Sequence, residues 1–455
     1  MLGVNLKALF VGFGLVACGL VACDVSAQAF EDSVGSTCEN FKKNLPPNVR
    51  QGMVEVPEDW SQPQGRKTHV FYYSVPAPAQ PDAIKGNTPV VFFNGGPGAD
   101  SHSSYMILKD PAAKAHIPLV FLDQRGTGCS DAFPAELSEE TAVRLAHYGS
   151  RAIVQDAEFV RRLLFGAAKW SAFGQSFGGD IVHRYAMTAP EGLEAAFSHG
   201  ASVVADPMQW GMDRIRSQAR VAESYFEAHP EDRARVTLLR RLITDTTCFN
   251  EGGNHICGNS VLDAATSMLG FRDSWDNLHF WLGALVNTGE HGILTLSTAM
   301  LKEYVETIVF GIYGRNALPA SVISKLEMVP GLSDAKLCKA VLARLTDEGE
   351  TPLLWAFNEC RFLPQMHTDA DHLIDGMTTV DAMTPQLLQQ SLASNPGLRF
   401  FLYSGGKDIF SPVESFAEEV QVLGKNITYR EFPASGHDGF YAEAQIWEDL
   451  VSGRK

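Results

Sequence analysis

The sequence predicts an α/β protein with a mostly parallel central sheet flanked by helices and a large helical cap inserted between sheet strands. Two observations predict the sheet. Short apolar runs bounded by Gly, Pro or Asp are typical of strands buried on both faces, and helical patterns separate these runs along the chain. A third observation predicts the cap, because the strand pattern stops near residue 204 and returns only after residue 383.

The first residues indicate export. Residues 1–29 combine one basic residue, an apolar run and the small-residue site Ala27-Gln28-Ala29, which predicts a signal peptide cut after Ala29 and a periplasmic or secreted protein. The apolar run is short for a membrane-spanning helix. The residues before Cys18 and Cys23 also resemble the bacterial lipobox, so a lipid anchor remains the alternative.

Cleavage after Ala29 leaves an even number of cysteines, which in an exported chain suggests three disulfides. Chain position and local proximity favour the pairs Cys38–Cys129, Cys248–Cys257 and Cys338–Cys360. Buried free thiols are the alternative for some of them. The spacings do not match a zinc site, and we expect no metal.

The predicted elements follow in order. An edge hairpin comes first, then strands that alternate with a crossover helix, and the strands resume after the cap. This order divides the chain into a signal peptide (1–29), a first core part (30–204), a helical cap (205–383) and a second core part (384–455). The strand predictions are Met53–Val56, Thr68–Val75, Val90–Phe93, Leu119–Leu122, Trp170–Phe173, Ala195–Ser198, Leu398–Tyr403 and Ile427–Phe432; the helix predictions are Ile153–Leu164, Met212–His229, Arg235–Ile243 and Leu294–Phe310.

The composition excludes some partners. The net charge is −16 and the pI is about 5.3, which argues against nucleic acid and anionic membrane surfaces as the main partners. The oligomeric state is not predicted.

The stretch from Trp170 to Asp180, WSAFGQSFGGD, carries the central motif. An apolar run is followed by glycines two residues before and two residues after Ser176, and then by a helical pattern. This is the spacing of a nucleophile elbow, in which a serine lies on a sharp strand-to-helix turn that closes only without flanking side chains. A plain glycine-rich loop is the alternative.

Two later strands supply partners for this serine. Asp408 follows the strand that ends at Tyr403, and His437 follows the strand that ends at Phe432. A serine hydroxyl becomes a nucleophile when a histidine takes its proton and a carboxylate orients that histidine. The order Ser176, Asp408, His437 is that of the α/β-hydrolases, which predicts the α/β-hydrolase fold and a catalytic triad.

The glycine stretch Asn94 to Gly98 follows a central strand, where an α/β-hydrolase forms half of its oxyanion hole. We assign the two donors to the amides of Gly96 and Phe177, since Pro97 has no N–H. A plain turn is the alternative for this stretch.

These motifs together resemble the prolyl aminopeptidase and tripeptidyl aminopeptidase family of serine peptidases. The resemblance covers roughly residues 52–200 and 398–439, and Asn94, where prolyl aminopeptidases usually have His, is closer to the tripeptidyl branch. The motifs that carry it are NGGPG from Asn94, DQRGTGCS from Asp123, GQSFGG from Gly174, GGKD from Gly405 and SGHDGF from Ser435.

The resemblance implies that acidic cap residues hold the free ammonium group of a peptide. Glu359 is the first candidate, and Glu223 and Glu227 are weaker ones. It also implies that Asp123 and Arg125 are structural or form the rim of the site and are not catalytic. We expect His102, His183 and His199 to be packing or surface residues.

The sequence therefore predicts an exported serine aminopeptidase, of prolyl or tripeptidyl type, that needs no cofactor and acts on peptides with a free N-terminus. A carboxylesterase acting on small esters with the same triad is the alternative. A hydrolase fold that only binds its ligand is a third hypothesis, against which the complete triad argues.

Overall fold

The computed structural model of the chain describes residues 38–76, 88–133, 138–203, 206–243, 248–251, 254–257, 267–271, 274–288, 294–297 and 382–453, with short pieces at 300–301, 304, 323, 340–341 and 343–344. The predicted signal peptide and lipid-anchor cysteines lie outside these residues. Within the described ranges, no helix combines the length and the apolar character that crossing a membrane requires.

The strands are β1 (Arg50–Pro57), β2 (Lys67–Val75), β3 (Val90–Phe93), β4 (Leu119–Leu122), β5 (Trp170–Gln175), β6 (Leu193–His199), β7 (Cys248–Glu251), β8 (Asn254–Cys257), β9 (Val286–Thr288), β10 (Leu294–Leu296), β11 (Arg399–Gly405) and β12 (Ile427–Phe432). The principal helices are α1 (Ser101–Lys114), α2 (Glu139–Leu145), α3 (Ser150–Phe165), α4 (Phe177–Thr188), α5 (Pro207–Ala228), α6 (Asp232–Leu242), α7 (Trp275–Leu285), α8 (Pro385–Ser394), α9 (Ala417–Leu423), α10 (Gly439–Ala442) and α11 (Ala444–Ser452).

Eight strands form one sheet with the order β1-β2-β4-β3-β5-β6-β11-β12. β1 and β2 form an antiparallel hairpin at one edge, and β2 pairs antiparallel with β4. The other pairs of this sheet are parallel. The predicted mostly parallel sheet with an edge hairpin is confirmed.

Helices cover both faces of the sheet. α3, α4 and α8 pack on one face, and α1 and α11 pack on the other. Successive residues of a strand point to opposite faces, and in β3 the side chains of Val91 and Phe93 enter the first layer while Val90 and Phe92 enter the second. Strands buried in this way need an apolar residue at every position, which explains the continuous apolar runs.

The chain leaves the sheet after β6 and returns at β11, which pairs in parallel with β6 from Arg399 opposite Ala195. The described residues of this insertion include α5, α6 and α7, which share an apolar core of their own. The helical prediction for Leu294–Phe310 is wrong at its start, because Leu294–Leu296 pairs antiparallel with β9. A second hairpin, β7–β8, was also not predicted. β9 and β10 have three residues each, which is too short for a periodicity to reveal them.

The disulfide predictions have different outcomes. Cys38 and Cys129 form the predicted disulfide, which joins the helical residues 38–44 to the loop after β4. The backbones of Cys248 and Cys257 lie opposite each other in the β7–β8 hairpin. Their bond stays a prediction, because their side chains are outside the described part. Cys338 and Cys360 lie outside the described residues altogether.

Candidate active site

Ser176 lies on a sharp turn between β5 and α4. Its φ is 57° and its ψ is −129°, a conformation that an L-residue rarely adopts. A Cβ on Gly174 would lie 2.0 Å from the carbonyl oxygen of Gly178, and a Cβ on Gly178 would lie 2.0 Å from that of Phe93. The two glycines of the motif are therefore required by close backbone contacts, as the sequence predicts.

His437 and Asp408 lie side by side after the carboxyl ends of β12 and β11. His437 Nδ1 donates to Asp408 Oδ2 at 2.7 Å, and both side chains are buried. The other carboxylate oxygen of Asp408 accepts from the backbone amides of Phe410 at 2.8 Å and Ser411 at 2.9 Å. Since Nδ1 carries the proton, Nε2 is the basic nitrogen of His437.

Backbone contacts hold the two loops against the elbow. The amide of Lys407 donates to Ser435 O at 2.9 Å, which ties the Asp408 loop to the His437 loop. Gln175 Nε2 donates to His437 O at 2.9 Å. The residue before Ser176 is thus bonded directly to the predicted base, which brings the three predicted triad residues to one place.

The glycine loop after β3 lies against the same elbow. A Cβ on Gly95 would lie 2.9 Å from Ser176 Cβ and 2.8 Å from Gln175 Oε1. Gly96 has a φ of 113°, which only glycine adopts readily. Phe177 is the first residue of α4, where backbone amides have no partner within the helix. The assignment of the Gly96 and Phe177 amides as oxyanion donors stays a prediction.

Two buried polar side chains border the site. Asn94 is 1% exposed, and its backbone carbonyl oxygen accepts from Gln124 Nε2. Neither the oxygen nor the nitrogen of its side-chain amide has a hydrogen-bond partner among the described residues. His199 ends β6 and is fully buried, and its backbone carbonyl accepts from the amide of Ser176 at 2.9 Å. Burial lowers the pKa of His199 to about 3, so its ring is neutral at physiological pH.

The DQRG residues are structural supports in the described contacts. Arg125 is buried and donates to Asp156 through two nitrogens, at 2.8 and 2.6 Å. Asp123 accepts from Ser101 and from the amide of Cys129. Burial raises the pKa of Asp123, but bonds from His102 and these other donors outweigh burial and lower it overall. These contacts agree with the role that the family resemblance implies for Asp123 and Arg125.

The two predicted amine-binding residues that the structure describes, Glu223 and Glu227, lie on α5. Glu359 lies outside the described residues. Glu223 forms a surface ion pair with Arg233, with Oε2 and Nη2 2.5 Å apart, and Glu227 is exposed. Asp213 on α5, which the sequence analysis did not consider, is 7% exposed, accepts from Gln209 Nε2 at 2.7 Å and lies 3.7 Å from Nη1 of Arg216. Desolvation raises the pKa of Asp213.

Two groups of described residues have donor atoms close enough to share a metal ion: His102, Asp123 and Cys129, and His229, Asp232 and His279. Cys129 is already in a disulfide. Asp232 accepts from Tyr225, Arg235 and His279, and the rings of His229 and His279 are stacked. Neither group contains a residue of the predicted triad.

Parts of the chain are similar in sequence to known proteins. Residues 88–239 match the family model of the α/β hydrolase fold, a segment that includes the elbow and the glycine loop. Part of the chain is 31% identical over 155 residues to the proline iminopeptidase of Aeromonas sobria, covering 32% of this chain and 35% of that protein. It is 30% identical over 137 residues to the proline iminopeptidase of Neisseria gonorrhoeae, covering 30% of this chain and 38% of that protein. These matches span little more than a third of the relatives' length.

Solved structures also superpose on the chain. The proline iminopeptidase of Mycobacterium smegmatis has a TM-score of 0.39 at 14% identity, covering 89% of this chain and 97% of that one. A thermophilic esterase from Thermogutta terrifontis has a TM-score of 0.42 at 12% identity, covering 89% and 100%.

Proposed function

We propose that this chain, an α/β-hydrolase, is a serine aminopeptidase that releases residues from the free N-terminus of peptides. The observation that carries the proposal is the 2.7 Å hydrogen bond between His437 Nδ1 and Asp408 Oδ2, at the strand ends beside the elbow of Ser176. A histidine held in this tautomer can accept the proton of a serine hydroxyl. The proteins that match part of this chain are named proline iminopeptidases, which supports peptide N-termini as the substrate class.

In the proposed reaction, Ser176 Oγ attacks the carbonyl carbon of the scissile peptide bond while His437 Nε2 takes the hydroxyl proton. Asp408 keeps Nδ1 protonated and stabilises the imidazolium. The amides of Gly96 and Phe177 donate to the oxyanion. The C–N bond then breaks, and His437 gives its proton to the leaving amine. A water molecule, deprotonated by His437, attacks the acyl carbon; the bond between this carbon and Ser176 Oγ breaks, and His437 returns the proton to Oγ.

The proposal requires a carboxylate for the substrate's ammonium group. Among the described residues we propose Asp213, which lies one helical turn before Ser217 on α5; Ser217 Oγ donates to Asp408 O at 3.1 Å, and the ammonium group would share the Asp213 carboxylate with Arg216. A bound cation would favour the ionised form of this buried carboxyl group. Glu359 remains the second candidate from the sequence.

The substrate class is tested with aminoacyl and tripeptidyl p-nitroanilides beside p-nitrophenyl esters, each with a free and an acetylated amine. We expect acetylation to abolish turnover of the anilides and Asp213→Asn or Glu359→Gln to raise KM for the free-amine substrates. Which anilide is cleaved distinguishes prolyl from tripeptidyl release. Efficient ester hydrolysis that is unchanged when the amine is acetylated would favour the carboxylesterase hypothesis instead.

The nucleophile is tested separately with a fluorophosphonate probe. We expect labelling of the wild type and of the control Ser394→Ala, which changes an exposed serine at the end of α8, but not of Ser176→Ala. Labelling of Ser176→Ala would contradict the assignment.

We also propose export with cleavage after Ala29. Mass spectrometry of the mature protein from a secreting host should find Phe30 at its N-terminus. A palmitate label that depends on Cys18 or Cys23 would instead indicate a lipid anchor.

A further inference from the structure

A short segment of the insertion, residues 267–271, lies directly on the loop that carries His437. The backbone amide of His437 donates to the carbonyl oxygen of Gly270 at 2.7 Å. Residues 267–269 are helical, and the side chains of Met268 and Leu269 are 4% and 0% exposed within the core of the insertion. The position of the proposed base is therefore linked to the packing of the insertion.

The backbone of His437 is held from two sides. Its amide binds Gly270 of the insertion, and its carbonyl oxygen accepts from Gln175 of the α/β core. The segment around Gly270 is in turn fixed by Trp275, whose Nε1 donates to Leu269 O at 3.0 Å. Removing the insertion contact would leave the loop of His437 held by the core alone.

The insertion also holds the loop of Asp408. The residue after it, Ile409, is 1% exposed and belongs to the apolar core of the insertion. Lys407, the residue before it, places Nζ 3.9 Å from the ring centre of Trp275. Ser217 of α5 donates to the carbonyl oxygen of Asp408 itself. Residues on both sides of the proposed orienting carboxylate thus contact the insertion.

Two aromatic rings also lie between the insertion, the Asp408 loop and His437. The ring of Phe410 lies 4.9 Å from the imidazole of His437, and the ring of Phe271 lies 6.3 Å from it, with 5.5 Å between the two phenyl rings. One of these rings comes from the insertion and the other from the Asp408 loop. They form an apolar wall beside the imidazole.

We infer that Gly270 is a positioning residue for His437, and that the Asp408–His437 pair adopts its working geometry only when residues 267–271 are docked. This inference rests on the proposed role of Ser176, Asp408 and His437. A catalytic side chain works when it is held within about 0.5 Å of its productive position, and a shift of about 1 Å can reduce the rate about 100-fold. The insertion then has a part in catalysis that is separate from binding substrate.

Gly270→Ala tests the inference without changing a polar group. A Cβ on Gly270 would lie 2.7 Å from Ile409 Cγ1 and 2.8 Å from Phe410 Cε2, so either these two side chains of the Asp408 loop or the segment itself must shift. Gly283→Ala is the matched control, because a Cβ on Gly283 of α7 has its nearest neighbour at 3.6 Å, on Arg235. Both variants add one methyl group to the insertion.

The readout uses a small ester, p-nitrophenyl acetate, beside the preferred anilide. For Gly270→Ala we expect kcat to fall about 10- to 100-fold for both substrates, with KM nearly unchanged and fluorophosphonate labelling slowed by a similar factor. Gly283→Ala should behave as wild type. An insertion that only binds peptide would change KM for the anilide and leave ester turnover and labelling intact, which would overturn the inference.

A second variant covers the case in which Gly270→Ala does not fold. Lys407→Gln removes the cation from the Trp275 ring at a half-buried position, and we expect a smaller loss of kcat, about 3- to 10-fold, for both substrates. The inference is refuted if Lys407→Gln has the wild-type kcat and Gly270→Ala either has the wild-type kcat as well or does not fold. A wild type that neither turns over substrate nor takes up the probe would refute the proposed function instead.

Discussion

His199 should make the folded protein sensitive to mild acid. The imidazole is fully buried at the end of β6, and neither ring nitrogen has a hydrogen-bond partner among the described residues. Burial lowers its pKa from an ordinary 6.5 to about 3. As the pH falls below 6.5, the unfolded chain binds a proton at this residue and the folded chain does not. The free energy of unfolding therefore decreases over the range from pH 6.5 to about 3.

The size of the effect follows from these two values. Between pH 7 and pH 5 the linkage relation gives a loss of about 2 kcal/mol from His199 alone. His199→Phe and His199→Leu cannot titrate, so both should lack this part of the pH dependence. Their absolute stabilities are expected to differ, because the new side chains fill the site differently.

Urea unfolding at pH 7, 6 and 5 measures the effect. The decrease in the free energy of unfolding from pH 7 to 5 should be about 2 kcal/mol smaller in both variants than in the wild type. An equal decrease in all three proteins would refute the reasoning, since it would mean that His199 is solvated or hydrogen-bonded in the folded state.

Three further outcomes are expected. Gly200→Ala should lower kcat about 10-fold or more, because Gly200 has a φ of 64° and a Cβ there would lie 3.1 Å from His437 Nδ1; unchanged kcat would contradict this geometry. Arg125→Met should lower the free energy of unfolding by about 3–5 kcal/mol in urea melts, since it leaves the buried carboxylate of Asp156 without its cation. A loss below about 1 kcal/mol would be inconsistent with a buried Arg125–Asp156 ion pair. Reduction of the Cys38–Cys129 disulfide should lower the melting temperature, and Cys129→Ser should be insensitive to reductant, because the bond closes a long loop.

Much of the catalytic core could be predicted because its constraints act on side chains. The strands of the sheet are buried on both faces, so each needs an unbroken apolar run. The elbow requires glycine at 174 and 178, since any Cβ would meet a backbone oxygen at 2.0 Å. Asp408 and His437, the proposed partners of Ser176, follow consecutive strands, and parallel strands place such residues at one edge.

The links between the insertion and the core could not be predicted. A helical pattern shows that one face is buried but not which residues bury it, so the sequence alone does not single out the buried Asp213. The contact between Gly270 and His437 joins two backbone atoms, which leave no trace in side-chain pattern. The helix prediction fails at Leu294–Leu296 because a three-residue strand is too short to show a period of two.

The pairing of β6 with β11 has a consequence for synthesis. These neighbours in the sheet are separated by about 200 residues, which a ribosome needs on the order of 10–40 s to add. During that interval β6, whose residues Leu193 and Ala195–Phe197 end up buried, has one unpaired edge in a nascent chain. An exposed apolar edge invites pairing with another chain. The newly made protein is therefore expected to need a chaperone, or low expression temperature, until its last strands emerge.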